Sequence, residues 1–193
     1  QAERKGLFVL SEGGFNGNNA TLNYYDYTSK ELLSDRFSDV NKRGLGDVAN
    51  DIGVYGAKMY IVVNGSGTVE VVNAQTTASI KQVELKDAGV NRQPRNITFH
   101  KSKAFISNFD GTVAVLDTAT LQIEKYIRVG KNPEQLAVSN GKLYVANSGG
   151  LDFPKYDSTV SVVNLETRQK FQLINMVTSM CLPLEIIQML ARV

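Results

Sequence analysis

The sequence is poor in the residues that metal centres and nucleophilic active sites most often use. Its 193 residues include one cysteine (Cys181), one histidine (His100) and no tryptophan. A single cysteine makes an intrachain disulfide impossible, and it excludes zinc sites built from cysteine and histidine clusters. A catalytic triad or a Cys–His pair would have His100 as its sole histidine base. These absences argue against most nucleophilic hydrolase mechanisms.

A strong charge of one sign and a long hydrophobic run are also lacking. The 21 basic and 19 acidic residues leave a formal net charge of +2, so neither a nucleic-acid-binding tail nor a polybasic membrane segment is predicted. No run of about 18 apolar residues occurs, so no transmembrane helix is predicted. Hydrophobic residues make up 42% of the chain, which is typical of a globular domain.

What the sequence does contain is a fourfold internal repeat. Each copy has a threonine, then Asp or Asn five residues later, and then Ser or Thr three residues further on. The threonines are 47, 44 and 47 residues apart, at positions Thr21, Thr68, Thr112 and Thr159. An Asp or Asn side chain can accept a hydrogen bond from the backbone two residues ahead. Each copy therefore predicts a strand that ends in a turn.

Short β-rich runs flank each copy. In the second repeat the predicted strands around Thr68–Asn73 are Asp51–Tyr55, Met59–Val63 and Ile80–Leu85, and the first repeat ends in a strand predicted over Leu32–Phe37. Asn140–Gly141 is the strongest hairpin signal in the chain. Four short antiparallel strands in about 45 residues are typical of a β-propeller blade. A β-sandwich is the alternative, but sandwiches do not usually repeat an Asx position in four consecutive copies.

The sequence therefore predicts an all-β fold, a β-propeller of four-stranded antiparallel blades with about four blades. The blades occupy residues 6–175 as a single domain that forms an incomplete ring. Residues 176–193 depart from the repeat and form an atypical C-terminal tail.

The connections of each predicted blade fall at two edges. The loop edge carries the connections from the second strand to the third and from each blade to the next. These connections are long and rich in Asn, Gly, Arg and Asp, with scattered aromatic residues. At the turn edge the connections are short. Loops on a rigid scaffold often carry function, and this composition suits a large polar ligand with a planar or apolar part. The alternative is that Asn and Gly serve turns and that the arginines are simply hydrated.

Aligning Pro94 with Pro133 places Asn50, Arg95 and Glu134 at equivalent positions at the mouth of the expected axial channel. Arginines near this mouth could pair with phosphate or carboxylate groups. No catalytic residue, cofactor or metal site is predicted. The predicted ligand-binding residues are Phe15, Asn18, Arg43, Asn50, Arg92, Arg95, Phe109, Glu134, Asn147, Asp152, Phe153 and Tyr156.

The strand motifs resemble the YVTN/YncE type of propeller, through the Pro-led strand at 132–138, the strand at 142–147 and the strand at 159–164. Four further segments resemble the surface-exposed propeller lipoproteins of gut Bacteroides: 6–13, 19–26, 45–51 and 92–100. Within that group, Asn41–Arg43 and Asn147–Asp157 are similar to the cobalamin-capturing BtuG type.

This resemblance implies a seven-bladed parent whose lipid anchor was lost with its N-terminus. It also implies a place at the cell surface, on the outer membrane, and a corrinoid ligand such as cobalamin that is handed to a TonB-dependent outer-membrane transporter. A surface propeller that binds glycan or protein is the first alternative, and a propeller-based lyase or oxidoreductase is the second. Open blade edges would also allow homo-oligomers.

Overall fold

The computed structural model describes residues 5–175, so the prediction of an atypical tail at 176–193 lies outside the described residues. Within this range the chain consists of 17 strands and one short helix, which confirms the all-β prediction. The chain divides into two compact units, Gln1–Asn91 and Arg92–Val193. Among the described residues, no helix has the length and apolar character that a membrane span needs.

The first unit holds two antiparallel sheets. Sheet I has the strand order β1–β2–β3 and sheet II the order β4–β5–β6–β7, while β8 and β9 form a separate hairpin. The elements are β1 (Gly6–Ser11), β2 (Thr21–Asp26), β3 (Leu32–Leu33), α1 (Arg36–Asn41), β4 (Ala49–Tyr55), β5 (Lys58–Val63), β6 (Thr68–Asn73), β7 (Ser79–Glu84), β8 (Lys86–Asp87) and β9 (Val90–Asn91).

The second unit holds two four-stranded antiparallel sheets. Sheet III has the order β10–β11–β12–β13 and sheet IV the order β14–β15–β16–β17. Consecutive strands are neighbours throughout, as expected of a meander. The strands are β10 (Pro94–His100), β11 (Lys103–Asn108), β12 (Thr112–Asp117), β13 (Ile123–Arg128), β14 (Pro133–Ser139), β15 (Lys142–Asn147), β16 (Thr159–Asn164) and β17 (Gln169–Asn175).

The predicted Asx turns are present in all four repeats. The four repeat threonines begin β2, β6, β12 and β16, and the Asx residue ends each of these strands. Asp117 Oδ1, for example, accepts the backbone N–H of Ala119 at 2.9 Å and of Thr120 at 2.7 Å. The corresponding bonds to Asp26, Asn73 and Asn164 measure 2.7–3.0 Å. The repeat is therefore a structural unit, and its turns lie at the turn edge.

The Asn140–Gly141 hairpin is also confirmed. It joins β14 to β15, and its two central residues have φ values of 47° and 69°. Both angles lie in the left-handed region, which Asn and Gly adopt most readily. A two-residue hairpin turn of type I′ requires such angles at both central residues.

The strand predicted over Leu32–Phe37 is wrong, because β3 ends at Leu33 and α1 begins at Arg36. Asp35 adopts φ 43° at the helix start and accepts the N–H of Ser38 at 3.4 Å. The helix buries Phe37 completely. A short helix that carries Phe37 into the core thus takes the place of most of the predicted strand, and only β3 remains of it.

Each unit has its own apolar core. In the first unit Phe37 belongs to a buried cluster with residues of sheets I and II and of the connections beside them, which are Ala20, Leu22, Leu45, Ala49, Met59, Ile61, Val63 and Val72. In the second unit the core joins sheets III and IV through Phe105, Val113, Val115, Ile127, Leu143, Val145, Val163 and Leu165. The cores hold the sheets together and leave their edges for loops and turns.

An ion cluster joins sheets III and IV near the turn edge. Lys103 Nζ lies 2.5 Å from Asp117 Oδ2 and 2.7 Å from Glu124 Oε1, and Arg168 also pairs with Glu124. The Lys103 ammonium and the N–H of Thr120 hold the pKa of Asp117 well below its usual range. Lys103 likewise lowers the pKa of Glu124, and the two carboxylates raise the pKa of Lys103.

This cluster predicts acid sensitivity that depends on Asp117. A carboxyl group with a lowered pKa in the folded state stabilises that state above the pKa of the unfolded chain, and this contribution is lost as the pH falls. We expect Asp117→Asn, which keeps the Asx acceptor, to lower the melting temperature at pH 7 and to weaken its fall between about pH 5 and pH 2. Melting curves followed by circular dichroism measure this. Asp39→Asn is the control outside the cluster, and equal slopes for Asp117→Asn and the unaltered chain would contradict the prediction.

Candidate ligand-binding site

The first strand of each four-stranded sheet begins with a β-bulge. In sheet III, Pro94 pairs with Asn108 and the next pair joins Ile97 to Ile106, so one extra residue lies on β10. The same insertion occurs at the start of β4 and at the start of β14. A bulge interrupts the hydrogen-bond ladder and redirects the side chains beside it.

The bulges confirm that Asn50, Arg95 and Glu134 occupy equivalent positions, as the alignment of Pro94 with Pro133 predicts. The residue after Ala49, Pro94 or Pro133 begins each bulge, and these residues are Asn50, Arg95 and Glu134. The sequence contained the alignment but no signal for the bulge itself. Their place at the mouth of a channel stays a prediction.

Arg95, Glu134 and Phe109 are brought together in the second unit. Arg95 Nε lies 3.0 Å from Glu134 Oε2, and its guanidinium carbon lies 4.6 Å from the centre of the Phe109 ring. The buried hydroxyl of Ser107 donates to the Glu134 carbonyl at 2.6 Å and accepts the N–H of Asn96 at 3.1 Å. The pair therefore ties β10 to β14, and Ser107, which sequence reasoning missed, braces both bulges.

Arg92 is also held within the second unit. Its guanidinium pairs with Asp110 and stacks on Tyr126, with 4.1 Å between the guanidinium carbon and the ring centre. Stacking and ion pairing together fix an arginine more firmly than either contact alone. Arg92 thus anchors the loop before β10 to the outer part of sheet III.

In the first unit Asp47 organises the loop at 12–19. Its two carboxylate oxygens accept the backbone N–H groups of Asn16 and Asn18, both at 3.1 Å. This loop presents Phe15, whose side chain is 80% exposed. The predicted residues Phe15 and Asn18 therefore share one loop, and Asp47, which was not predicted, holds it.

Asn50 lies in an open groove of about 430 Å³ in the first unit, between β1 and β4. Its Nδ2 donates to Glu12 Oε1 at 2.8 Å. Asn50 is thus partly committed to a contact with the loop that follows β1.

Arg43 does not lie free at the loop edge as a partner for anions. Its Nη2 lies 2.8 Å from Oε1 of Glu70, a residue with no exposed surface on β6. The guanidinium also stacks on Phe37, with 4.9 Å between the guanidinium carbon and the ring centre. Arg43 thus supplies the cation that a buried carboxylate requires, and its role as a ligand contact stays a prediction.

Asn147 is also held by contacts within the protein. Its side chain is buried, with 3% of the residue exposed. It donates to Thr159 Oγ1 at 2.8 Å and to Ser161 Oγ at 3.0 Å, and it accepts the N–H of Gly130 at 3.1 Å. Its hydrogen-bonding groups therefore join β15 to β16 and are not offered to a ligand.

The loop at 148–158 brings Asp152, Phe153 and Tyr156 to the loop edge of sheet IV. Phe153 and Tyr156 form an edge-to-face pair with 6.1 Å between ring centres, and Phe153 is 80% exposed. Asp152 Oδ2 lies 2.5 Å from Lys131 Nζ. Asp152 and Lys131 line an open groove of about 620 Å³, beside Leu151 of the same loop.

Among residues 5–175 no group of three or more histidine, cysteine or carboxylate side chains is placed to hold a metal ion. The polar groups at the loop edge are amides, carboxylates, ammonium and guanidinium groups beside aromatic rings. Such groups recognise a ligand by hydrogen bonds, ion pairs and stacking.

Four-stranded antiparallel meanders that repeat along the chain are the blades expected of a β-propeller, and comparison with solved structures supports this fold class. The chain is similar to hydrazine synthase of Kuenenia stuttgartiensis, with a TM-score of 0.70 and 15% identity over 89% of this chain and 46% of that one. It is also similar to the computationally designed Ika8 protein, with a TM-score of 0.64 and 15% identity over 90% of this chain and 47% of the other. The chain thus spans about half the length of these structures, and the likeness concerns the fold alone.

By sequence the chain belongs to the family described as a domain of unknown function, DUF5074, which matches residues 5–182. No curated protein matches the chain.

Proposed function

We propose that this protein is a non-enzymatic, ligand-binding propeller that captures a corrinoid at its loop edge. The observation that carries the proposal is the exposed Phe153–Tyr156 pair, which lies on the loop whose neighbouring residues Asp152 and Asp157 line the groove of about 620 Å³. A volume of this size lies within the range of small-molecule sites, roughly 300–1,000 Å³.

The exposed aromatic pair supports binding because solvated aromatic area is unfavourable unless a partner covers it. Leu151 is 68% exposed on the same loop, so the apolar surface extends to the groove. Charged and amide groups lie beside this surface. Cobalamin, a corrinoid with an amide-edged macrocycle and a phosphodiester, has matching apolar and polar parts.

The ion pairs of the acidic side chains support a role in binding rather than in proton transfer. Asp110 and Glu134 are held by Arg92 and Arg95, and Asp152 is held by Lys131. These ion pairs commit the three carboxylates to contacts within the protein.

The remaining parts of the proposal come from the resemblance to the surface propeller lipoproteins. We propose a lipid-anchored parent at the cell surface that passes its ligand to a TonB-dependent outer-membrane transporter. Self-association of the chain is supported by β1. Leu7 and Val9 on this strand are exposed, and β2 is its sole sheet partner within residues 5–175. A strand with an unpaired edge can pair with a strand of another chain.

Isothermal titration with cyanocobalamin tests the ligand. We expect the unaltered chain to bind, and Phe153→Ala/Tyr156→Ala to bind at least about tenfold more weakly, since each lost stacking contact is worth about 1 kcal/mol. Tyr27→Ala, which removes an exposed ring from a turn of the first unit outside the predicted ligand-binding residues, is the control. No heat at micromolar concentrations would overturn the corrinoid assignment, and binding on a glycan array instead would favour a glycan ligand.

A further inference from the structure

Some of the charged side chains that line the groove of the second unit are paired within the protein and others are not. Three acidic and three basic side chains line it, so its formal charge is neutral. They are Asp110, Asp152 and Asp157, and Arg128, Lys131 and Lys170. The question is which of these charges the protein already satisfies.

All three carboxylates have partners. Asp110 pairs with Arg92, which does not itself line the groove, and Asp152 pairs with Lys131. The third carboxylate accepts the backbone N–H of Thr159 at 3.0 Å. The acidic side of the groove is therefore committed to contacts within the protein.

Two of the cations are not committed in this way. Within residues 5–175 the side chains of Arg128 and Lys170 form neither an ion pair nor a hydrogen bond, and both residues are exposed. Leu151 and Leu173 line the same groove and are 68% and 49% exposed. The groove thus presents two cations that no side chain within residues 5–175 pairs, along exposed apolar surface.

We infer that this groove binds the anionic group of a ligand whose body is apolar, with Arg128 and Lys170 as the counter-charges. A phosphate or phosphodiester is the fitting group, because guanidinium and ammonium groups both recognise it. The inference deepens the proposed function and rests on it, since it names the part of the ligand that this groove recognises.

A small probe tests the anionic groove directly. Phenyl phosphate carries a phosphate on an apolar ring, and its binding can be followed by NMR through the methyl signals of Leu151 and Leu173. We expect it to shift these signals, with weaker binding in high salt because salt screens exposed charges. Arg128→Gln/Lys170→Gln should raise the dissociation constant at least about tenfold through the loss of two attractive charges.

Two control variants separate charge from shape. Arg128→Lys/Lys170→Arg keeps both charges and should bind within about threefold of the unaltered chain. Lys30→Gln removes a lysine in a turn of the first unit and should change nothing. All variants alter exposed residues, so their melting temperatures should match that of the unaltered chain.

A parallel titration keeps this inference separate from the proposed function. Cyanocobalamin has a phosphodiester and dicyanocobinamide lacks it, so the double Gln variant should weaken binding of the first and leave binding of the second unchanged. Absence of cyanocobalamin binding by the unaltered chain would overturn the corrinoid proposal. The groove inference is overturned if phenyl phosphate leaves the Leu151 and Leu173 signals unmoved, or binds the double Gln variant as tightly as the unaltered chain.

Discussion

Phe37→Ala is expected to lower the free energy of unfolding by about 3–5 kcal/mol, the range for removing a fully buried phenylalanine. Phe37 is the buried residue of α1 and packs with the core shared by sheets I and II. A six-residue helix is not stable without tertiary contacts, so losing this side chain also loosens the attachment of α1. Urea unfolding followed by far-ultraviolet circular dichroism measures the effect, because the chain has no tryptophan.

Val40→Ala is the matched control for Phe37→Ala. Val40 lies on the same helix but is exposed, so its truncation should cost less than about 1 kcal/mol. If both variants unfolded at the same urea concentration, α1 would not be attached to the core through Phe37.

Arg43→Met is expected to destabilise the first unit by about 2–3 kcal/mol, since it leaves the buried carboxylate of Glu70 without its cation. Ser79 Oγ at 2.5 Å and Gln82 Nε2 at 3.2 Å still donate to that carboxylate. Arg43 itself is partly solvated, with 41% of its side chain exposed. These two facts place the expected loss below the largest values seen for buried ion pairs.

The double variant Arg43→Met/Glu70→Met tests the cause of that loss. Replacing both partners with apolar side chains removes the unpaired charge, and such exchanges are often neutral or stabilising. We therefore expect the double variant to recover most of the stability that Arg43→Met loses, as measured by urea unfolding. A double variant less stable than Arg43→Met would show that packing, not charge, accounts for the effect.

The repeated strands and turns could be predicted because their signals are local. An Asx residue five positions after a threonine forms its turn through its own side chain, as at Asp117. Asn140 and Gly141 take left-handed backbone angles that few other residue pairs adopt. Neither feature needs a distant partner. This is why the turn edge was predicted in detail while the loop edge was not.

The helix α1 was missed because six residues are too few to show a helical period. The apolar residues of this segment, Leu32, Leu33 and Phe37, are too few to distinguish a strand from a helix. Asp35, which caps the helix through Ser38, is a start signal that could have been used.

The roles of the charged residues could not be predicted because they depend on partners far along the chain. Arg43 and Glu70 are 27 residues apart in sequence, and Arg95 and Glu134 are 39 apart. One signal was available, since Glu70 and Val72 lie on the same face of a buried strand. A charged residue at such an inward position requires a partner, although the sequence does not say which.

The bulges at the start of β4, β10 and β14 have a consequence for protein engineering. Each inserts one residue before regular pairing resumes, at Asp51, Ile97 and Leu136. Positions 50, 95 and 134 can therefore be varied one at a time while the strands behind them keep their register.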